Sequence, residues 1–410
     1  MSIVRRYFDA QIDGIKKDTA LRFYGAFLAV GQVLTFWAWH STKAVNYLSD
    51  EAKPVCWPFF ENCFRYRFFN YDEAKLILFL FGFISVIGVL LFLSKKLCGV
   101  AYWWLILVNL FKTLIYVQDY SLRLNQHYML YFATFVFLFL PNKRRLLRYT
   151  VVLFYFWAST LKFDMEWISG KALYAKPLWI PDALIPASCV YVIILEAVIT
   201  WGVLSDRKWV YWSTFFQLCL FHIISWPVVG FFYPLLMFAL LAIFPLTYFI
   251  PDPAGTKSLL NSLFKGKEPP ATYLFIGFFS LMQLIPVVMP GDERVTGEGR
   301  LFSLHMFDAL VVCEGAITLK FKDGTKQELP IPFKEIGAPR IKCDPIVNFS
   351  RAKQLCTKFN DQPAFLDLDL YYEARRGHEE HMRPLVDIKD FCSQNLSYDL
   401  LRPNDWILKD

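Results

Sequence analysis

Three ionisable side chains stand at the ends of long apolar runs. They are His127 in Asn125-Gln126-His127-Tyr128, Lys162 in Leu161-Lys162-Phe163-Asp164-Met165-Glu166-Trp167, and His222 in Phe221-His222-Ile223-Ile224-Ser225-Trp226. An amine kept from water loses much of its preference for the ammonium form, and an imidazole changes charge near neutral pH. Such groups at an apolar boundary suit general-base proton transfer. Each also has a plain reading: a Lys at a span end snorkels to the interface, and a His satisfies a helix end. Their agreement in depth, from three separate parts of the chain, favours a site. Asp164 and Glu166, if close to Lys162, would favour its charged form. His378-Glu379-Glu380-His381 has two histidines three apart, but it sits in a charged run between Arg376 and Arg383 and reads as a solvated loop. The sequence carries no zinc-type Cys/His spacing, phosphate-cradling Gly loop, Ser/His/Asp set or dinucleotide fingerprint.

The elements that position these groups follow from composition. The chain has 410 residues; 56% are hydrophobic, 41 are Phe and only 19% are charged. Soluble domains carry about 25% charged residues. The balance excludes disorder, collagen, coiled coil and a small disulfide scaffold. A net charge of +7 on scattered Lys and Arg is no nucleic-acid footprint. The expected fold is a polytopic α-helical membrane protein with a small α+β extracytoplasmic domain. About 20 apolar residues cross a bilayer, and nine runs qualify, near 20–40, 74–94, 98–118, 127–141, 147–163, 184–204, 208–225, 227–250 and 271–289. The fourth and fifth are short and are separated by Asn142-Lys143-Arg144-Arg145.

Lys and Arg favour the cytoplasmic side. Lys and Arg at 5, 6, 16, 17, 95, 96, 143–145, 148, 207, 208, 257, 265 and 267 then lie inside, which leaves the segment after about 290 outside. Residues 1–19 lack the apolar core of a signal peptide. Their Ile3, Tyr7, Phe8, Ile12 and Ile15 suit an amphipathic helix on the inner surface. The expected division is therefore 1–19, a helical domain over 20–290, and an outer domain over 291–410. In the last, 310–326 reads as a strand pair with a turn at Lys322-Asp323-Gly324-Thr325, 346–359 as a helix, and 364–375 as another strand. Cys189 and Cys219 fall within spans and Cys98 at an inner boundary. Cys56, Cys63, Cys313, Cys343, Cys356 and Cys392 fall outside, where an oxidising compartment permits disulfides.

The stretch Tyr155-Phe156-Trp157-Ala158-Ser159-Thr160-Leu161-Lys162-Phe163-Asp164-Met165-Glu166-Trp167-Ile168-Ser169-Gly170 resembles a signature of the vitamin K-dependent γ-glutamyl carboxylases. There a span ends in Lys, followed by an apolar residue, Asp, and shortly a Trp and a Gly. Asn125-Gln126-His127 is similar to the family's Asn-Asn-His motif, and Phe221-His222 to its Phe-His pair. In the outer domain Phe307-Asp308, Lys322-Asp323-Gly324 and Arg383-Pro384-Leu385-Val386-Asp387 are similar to its Trp-Asp pair, Arg-Asp-Gly turn and Pro-x-Val-Asp stretch. Cys56-Trp57-Pro58-Phe59 and Leu355-Cys356 stand where the family joins two cysteines, which implies a Cys56–Cys356 bridge. Gln126 replaces the second Asn, Ser225 stands in place of an Asn, and His305 lies near a position usually held by Tyr. Without the large propeptide-capturing domain of animal carboxylases, the likeness is to a short, prokaryotic-like member with an HTTM-type membrane domain.

The resemblance implies a lyase that couples oxygenation of reduced vitamin K (a phylloquinol or menaquinol) to its epoxide with removal of a glutamate γ proton and addition of CO2. Lys162 would be the base toward the quinol. His127, Asn125 and Gln126 would orient its oxygens, His222 would line the pocket, and Ser225 and His305 would lie at the quinol. The implied cofactors are the quinol, O2 and CO2, with no metal. The implied partners are membrane lipid, a naphthoquinone and a glutamate-bearing peptide or protein, with no nucleic acid. The expected location is the bacterial inner membrane with the C-terminal domain in the periplasm, or alternatively the endoplasmic reticulum. A quinol epoxidase without carboxylation, and a non-catalytic quinone- or lipid-binding scaffold, are the rival readings.

Overall fold

Asp18 and Asn70 start the two longest helices. The Asp18 carboxylate accepts from the backbone N–H groups of Ala20 and Leu21, at 2.9 and 3.3 Å, and opens α2 (Thr19–Ser41) directly after α1 (Ile3–Lys17). Asn70 and Glu73 exchange side-chain-to-backbone bonds of 3.0 Å, a capping box that opens α3 (Tyr71–Leu93). The structure, a computed structural model, describes residues 3–49, 54–60, 63, 69–173, 176, 178–251, 259–304, 311–331 and 343–409. The helices continue as α4 (Cys98–Tyr116), α5 (Asn125–Phe139), α6 (Lys143–Thr160), α7 (Ile185–Ala197), α8 (Lys208–Val229), α9 (Phe232–Leu241), α10 (Ile243–Phe249) and α11 (Pro270–Val288).

Seven helical segments are long and apolar enough to cross a membrane: Thr19–Ser41, Tyr71–Leu93, Cys98–Tyr116, Asp182–Leu204, Lys208–Val229, Phe232–Phe249 and Pro270–Val288. Their outward faces are apolar too, as with Leu76, Phe83 and Leu90 on α3 or Leu274, Phe278 and Leu281 on α11. Helices apolar all round belong in an apolar surrounding, and the arrangement is compatible with a multi-pass membrane protein. The expected spans at 127–141 and 147–163 are helical as well. However, α5 is 15 residues, roughly 22 Å at 1.5 Å per residue, and α6 opens on Lys143, Arg144, Arg145 and Arg148. The reason is enclosure: Leu147, Val151, Val152 and Tyr155 of α6 are buried among other helices, so this helix needs no lipid-compatible face.

The basic link before α6 is used internally. Arg144 pairs with Asp18 at 3.0 Å and donates to Thr247 O at 2.9 Å, and Arg145 pairs with Glu268 at 3.1 Å. Lys143 donates to Leu138 O and Leu140 O. In α1, Phe8 and Ile12 pack on the helical core while Ile3 and Val4 are exposed.

The C-terminal part is a four-stranded antiparallel sheet in the order β2-β1-β3-β4, formed by β1 (Val311–Phe321), β2 (Lys326–Ile331), β3 (Phe365–Arg376) and β4 (Arg383–Ile388). The expected turn at 322–325 and helix α12 (Pro345–Phe359) are present. Gly315 of β1 sits opposite Tyr372 of β3, where a Cβ would meet Tyr371 O at 2.4 Å, so only glycine fits. His378–His381 occupy the turn between β3 and β4, a strand that the sequence reading did not mark. His305 and the Phe307-Asp308 pair lie outside the described residues.

The implied Cys56–Cys356 bridge is not formed. Cys56 joins Cys63, Cys313 joins Cys343, and Cys356 joins Cys392. The Cys56 N–H donates instead to Ser350 Oγ at 3.0 Å, six residues from Cys356 and so about 9 Å along α12. Cys356 meets Cys392, whose N–H is fixed by Asp367 at 2.8 Å. The segment around Cys56 is therefore tied to α12 by hydrogen bonds, including Gln354 to Pro54 O, and among the described residues not covalently. Peptide mapping under non-reducing conditions is expected to return these three pairs. Paired Cys313→Ser and Cys343→Ser substitution should cost about 2–4 kcal/mol of stability. Recovery of a 56–356 cross-linked peptide would refute the assignment.

Candidate functional site

At the C-terminal end of α6 the Lys162 side chain turns back along its own helix. Nζ donates to Ala158 O at 3.0 Å and to Glu196 Oε2 at 2.7 Å, and it lies 5.4 Å from the centroid of the Trp167 ring. Lys162 is 4% exposed and Glu196 1%. Glu196 lies in the last turn of α7, about 16 Å along that helix from its first residue. The helix then tightens into a 3-10 segment at Ile199–Leu204. The pair thus belongs to the interior of the helical layer and not to its rim.

A cavity of about 290 Å³ opens beside it. Lys162, Glu196, Asn125, Gln126 and Ser225 supply polar groups. Trp167, Tyr233, Phe221 and aliphatic residues including Leu124, Ile180, Val192 and Val228 supply the apolar wall. Glu196 Oε1 is buried with no hydrogen-bond partner among the described residues, so the cavity wall carries an unused acceptor. Four of the sequence-derived residues therefore meet: Asn125, Gln126, Lys162 and Ser225. His222 stands behind the wall, with Nε2 2.5 Å from Tyr155 OH and its ring 5.2 Å from that of Tyr233. His127 is absent from the lining and is enclosed by the rings of Trp39, Tyr116 and Phe232.

The loop after Lys162 is pinned from the C-terminal part. Asp164 caps the single turn Met165–Ile168, accepting from Glu166 N at 2.8 Å. Arg376, the last residue of β3, donates to Asp164 at 2.8 Å, to Glu166 at 3.0 Å and to Asp292 at 3.2 Å. Arg294 donates to Leu161 O at 3.2 Å. Gly170, at φ +74°, turns the chain toward α7, and a Cβ there would meet Ile185 at 2.7 Å. Asp164 and Glu166 are thus engaged by Arg376, and the partner of Lys162 is Glu196. Burial pushes the Asp164 carboxyl up, but the Arg376 bonds outweigh it and hold it below its ordinary value.

Reasoning on the ends of spans missed Glu196, Lys112 and Arg376. Glu196 and Lys112 are the sole charged residues of the 184–204 and 98–118 runs. An ionisable group within an apolar run is itself the signal. For Arg376 no local signal exists, since its partners lie more than 80 residues away.

No family model, curated protein or solved structure matches the chain.

Two outcomes follow from these charges. Lys162→Ala leaves Glu196 buried and unpaired, an expected loss of about 3–5 kcal/mol, whereas the Lys162→Met/Glu196→Leu double variant should unfold much closer to wild type. Equal instability of the two would show that the buried charge is not the cause. The folded-state value of Asp164 is depressed, so its stabilisation is complete above the unfolded value of about 3.9 and is lost as pH falls through the folded value. Arg376→Gln should therefore flatten the fall in melting temperature between pH 6 and pH 3. Parallel curves for variant and wild type would exclude the clamp.

Proposed function

We propose that the chain is a multi-pass membrane enzyme that takes a proton from a reduced naphthoquinone at the Lys162–Glu196 pair. Its reaction would be that of the vitamin K-dependent γ-glutamyl carboxylases, which its 155–170 segment resembles. The observation that carries this reading is Glu196, which lines a largely apolar cavity, accepts from Lys162 Nζ at 2.7 Å on Oε2, and has no hydrogen-bond partner on Oε1 among the described residues. Ligand sites combine apolar walls with a few converging polar groups, in volumes from roughly 300 Å³. A flat bicyclic ring with a hydroxyl at one end fits that description.

Glu196 Oε1 is placed to accept the ligand hydroxyl, while Lys162 holds Oε2 and shares the proton delivered to the pair. Asn125, Gln126 and Ser225 offer donors and acceptors to the ring oxygens. Trp167, Phe221 and Tyr233 give the ring an aromatic wall and keep water from the reacting oxygen. When bound, the quinol supplies, through reaction with O2, the epoxide and the base strong enough to take a glutamate γ proton before CO2 adds. The orientation proposed from the Lys and Arg distribution places residues after about 290 on the extracytoplasmic side, in the periplasm of a bacterial cell, where the three disulfides would persist. A glutamate-bearing peptide or protein would reach the site from that side.

The test is epoxide formation by purified protein in nanodiscs offered phylloquinol and menaquinols, with CO2 incorporation into a glutamate peptide measured separately. Lys162→Ala and Glu196→Gln are each expected to lower epoxide formation by at least about 100-fold. Epoxide formation at the wild-type rate by Lys162→Ala would defeat the proposal.

A further inference from the structure

A second polar cluster lies in the helical layer, apart from the Lys162 cavity. Lys112 of α4 is fully buried, and its Nζ has no hydrogen-bond partner and no ion pair among the described residues. Its nearest favourable contact is the face of Tyr131, 4.2 Å away. One helical turn on, Tyr116 packs against both Tyr131 and His127, at 5.9 and 5.6 Å. His127 is also fully buried, and neither ring nitrogen has a hydrogen-bond partner among the described residues. Lys112 and Tyr116 lie four residues apart on one face of α4, which puts the amine on the same side of that helix as the imidazole. Trp39 of α2 packs against His127 at 5.2 Å, and its indole N–H is likewise buried and without a partner among the described residues.

Each group carries at least one N–H. An amine, an imidazole and an indole N–H lie along one chain of ring contacts, and no carboxylate pairs with Lys112 among the described residues. An ammonium buried without a counter-charge costs several kcal/mol, and the quadrupole of one tyrosine ring returns no more than about 2 kcal/mol. Water satisfies hydrogen bonds without supplying the missing charge. At Lys162 the chain supplies that charge itself with Glu196; at Lys112 none of the described residues supplies it.

We infer that Lys112 and His127 form the seat of a small monovalent anion, bicarbonate-sized or smaller, with the Trp39 N–H as a further donor. The site is distinct from the Lys162 cavity, and the inference does not depend on the function proposed there.

The experiment uses the full chain in detergent with gluconate as the sole anion, exchanged at constant ionic strength for chloride, bromide or bicarbonate. The expected result is a melting temperature that rises and saturates with the small anions, as ligand linkage requires, and a loss of that rise in Lys112→Met. Replacing a buried, unpaired cation by an isosteric apolar chain should leave the fold intact. Bromide anomalous density beside Lys112 Nζ in wild-type crystals would establish the site even if that variant fails to fold. A wild-type protein whose melting temperature shows no saturable response to any small anion overturns the inference. So does an unchanged response in Lys112→Met.

Discussion

Lys162 and Glu196 can be desolvated only together. Moving one ion from water into an apolar interior costs several kcal/mol even after relaxation, and a partner at hydrogen-bonding distance is what offsets it. The 2.7 Å bond between α6 and α7 therefore fixes how those two helices meet. It also brings the charged end of one helix to the closing turn of another. The cavity beside them is a consequence. Each side of the pair presents one group to the other, leaving one buried carboxylate oxygen without a hydrogen-bond partner among the described residues.

The same loop that carries Lys162 answers to the C-terminal sheet. Arg376 closes β3 and gathers Asp164, Glu166 and Asp292, so the turn holding Trp167 over Lys162 is set by a strand more than 200 residues away in sequence. Three carboxylates this close would repel one another without the guanidinium, whose planar fork can serve several at once. The C-terminal part is therefore a component of the site's support. Its own rigidity comes from two disulfides, Cys313–Cys343 and Cys356–Cys392, and from a core built on Ile317, Leu319, Leu368 and Tyr372.

Much of this was legible in the sequence. Apolar runs of span length became helices, and the Lys322–Thr325 turn, α12 and β3 lie where alternation and turn residues put them. Of the three residues that shared depth at helix ends singled out, Lys162 alone lines the cavity; Asn125, Gln126 and Ser225, which line it too, came from the resemblance. What escaped were the pairings. Nothing local says that Cys56 turns to Cys63 while Cys356 turns to Cys392, because the choice rests on where α12 presents Ser350 and Cys356. Likewise, the depth argument placed His127 beside Lys162 by its position on α5. The aromatic rings of Trp39, Tyr116 and Phe232 enclose it elsewhere, and side-chain direction is not a property of depth.

Polar groups in the helical layer show where the fold leaves work undone. Thr35, Ser85 and Thr150 each return a hydrogen bond to the carbonyl four residues back, and Asn109 bridges Leu105 O and Gln32. Such self-satisfaction costs the fold little. An unpartnered hydroxyl such as that of Thr200 carries a modest penalty of about 1–3 kcal/mol. A charged group left open carries far more, because desolvation of an ion exceeds that of a dipole. Among the described residues Glu196 has one oxygen bonded and one without a partner, and Lys112 Nζ has no hydrogen bond; these are therefore positions at which a bound group gains much from the protein. The first sits in the wall of the cavity, and the second shares an aromatic enclosure with His127. A chain that tolerates such open charges in an apolar layer is organised around what fills them.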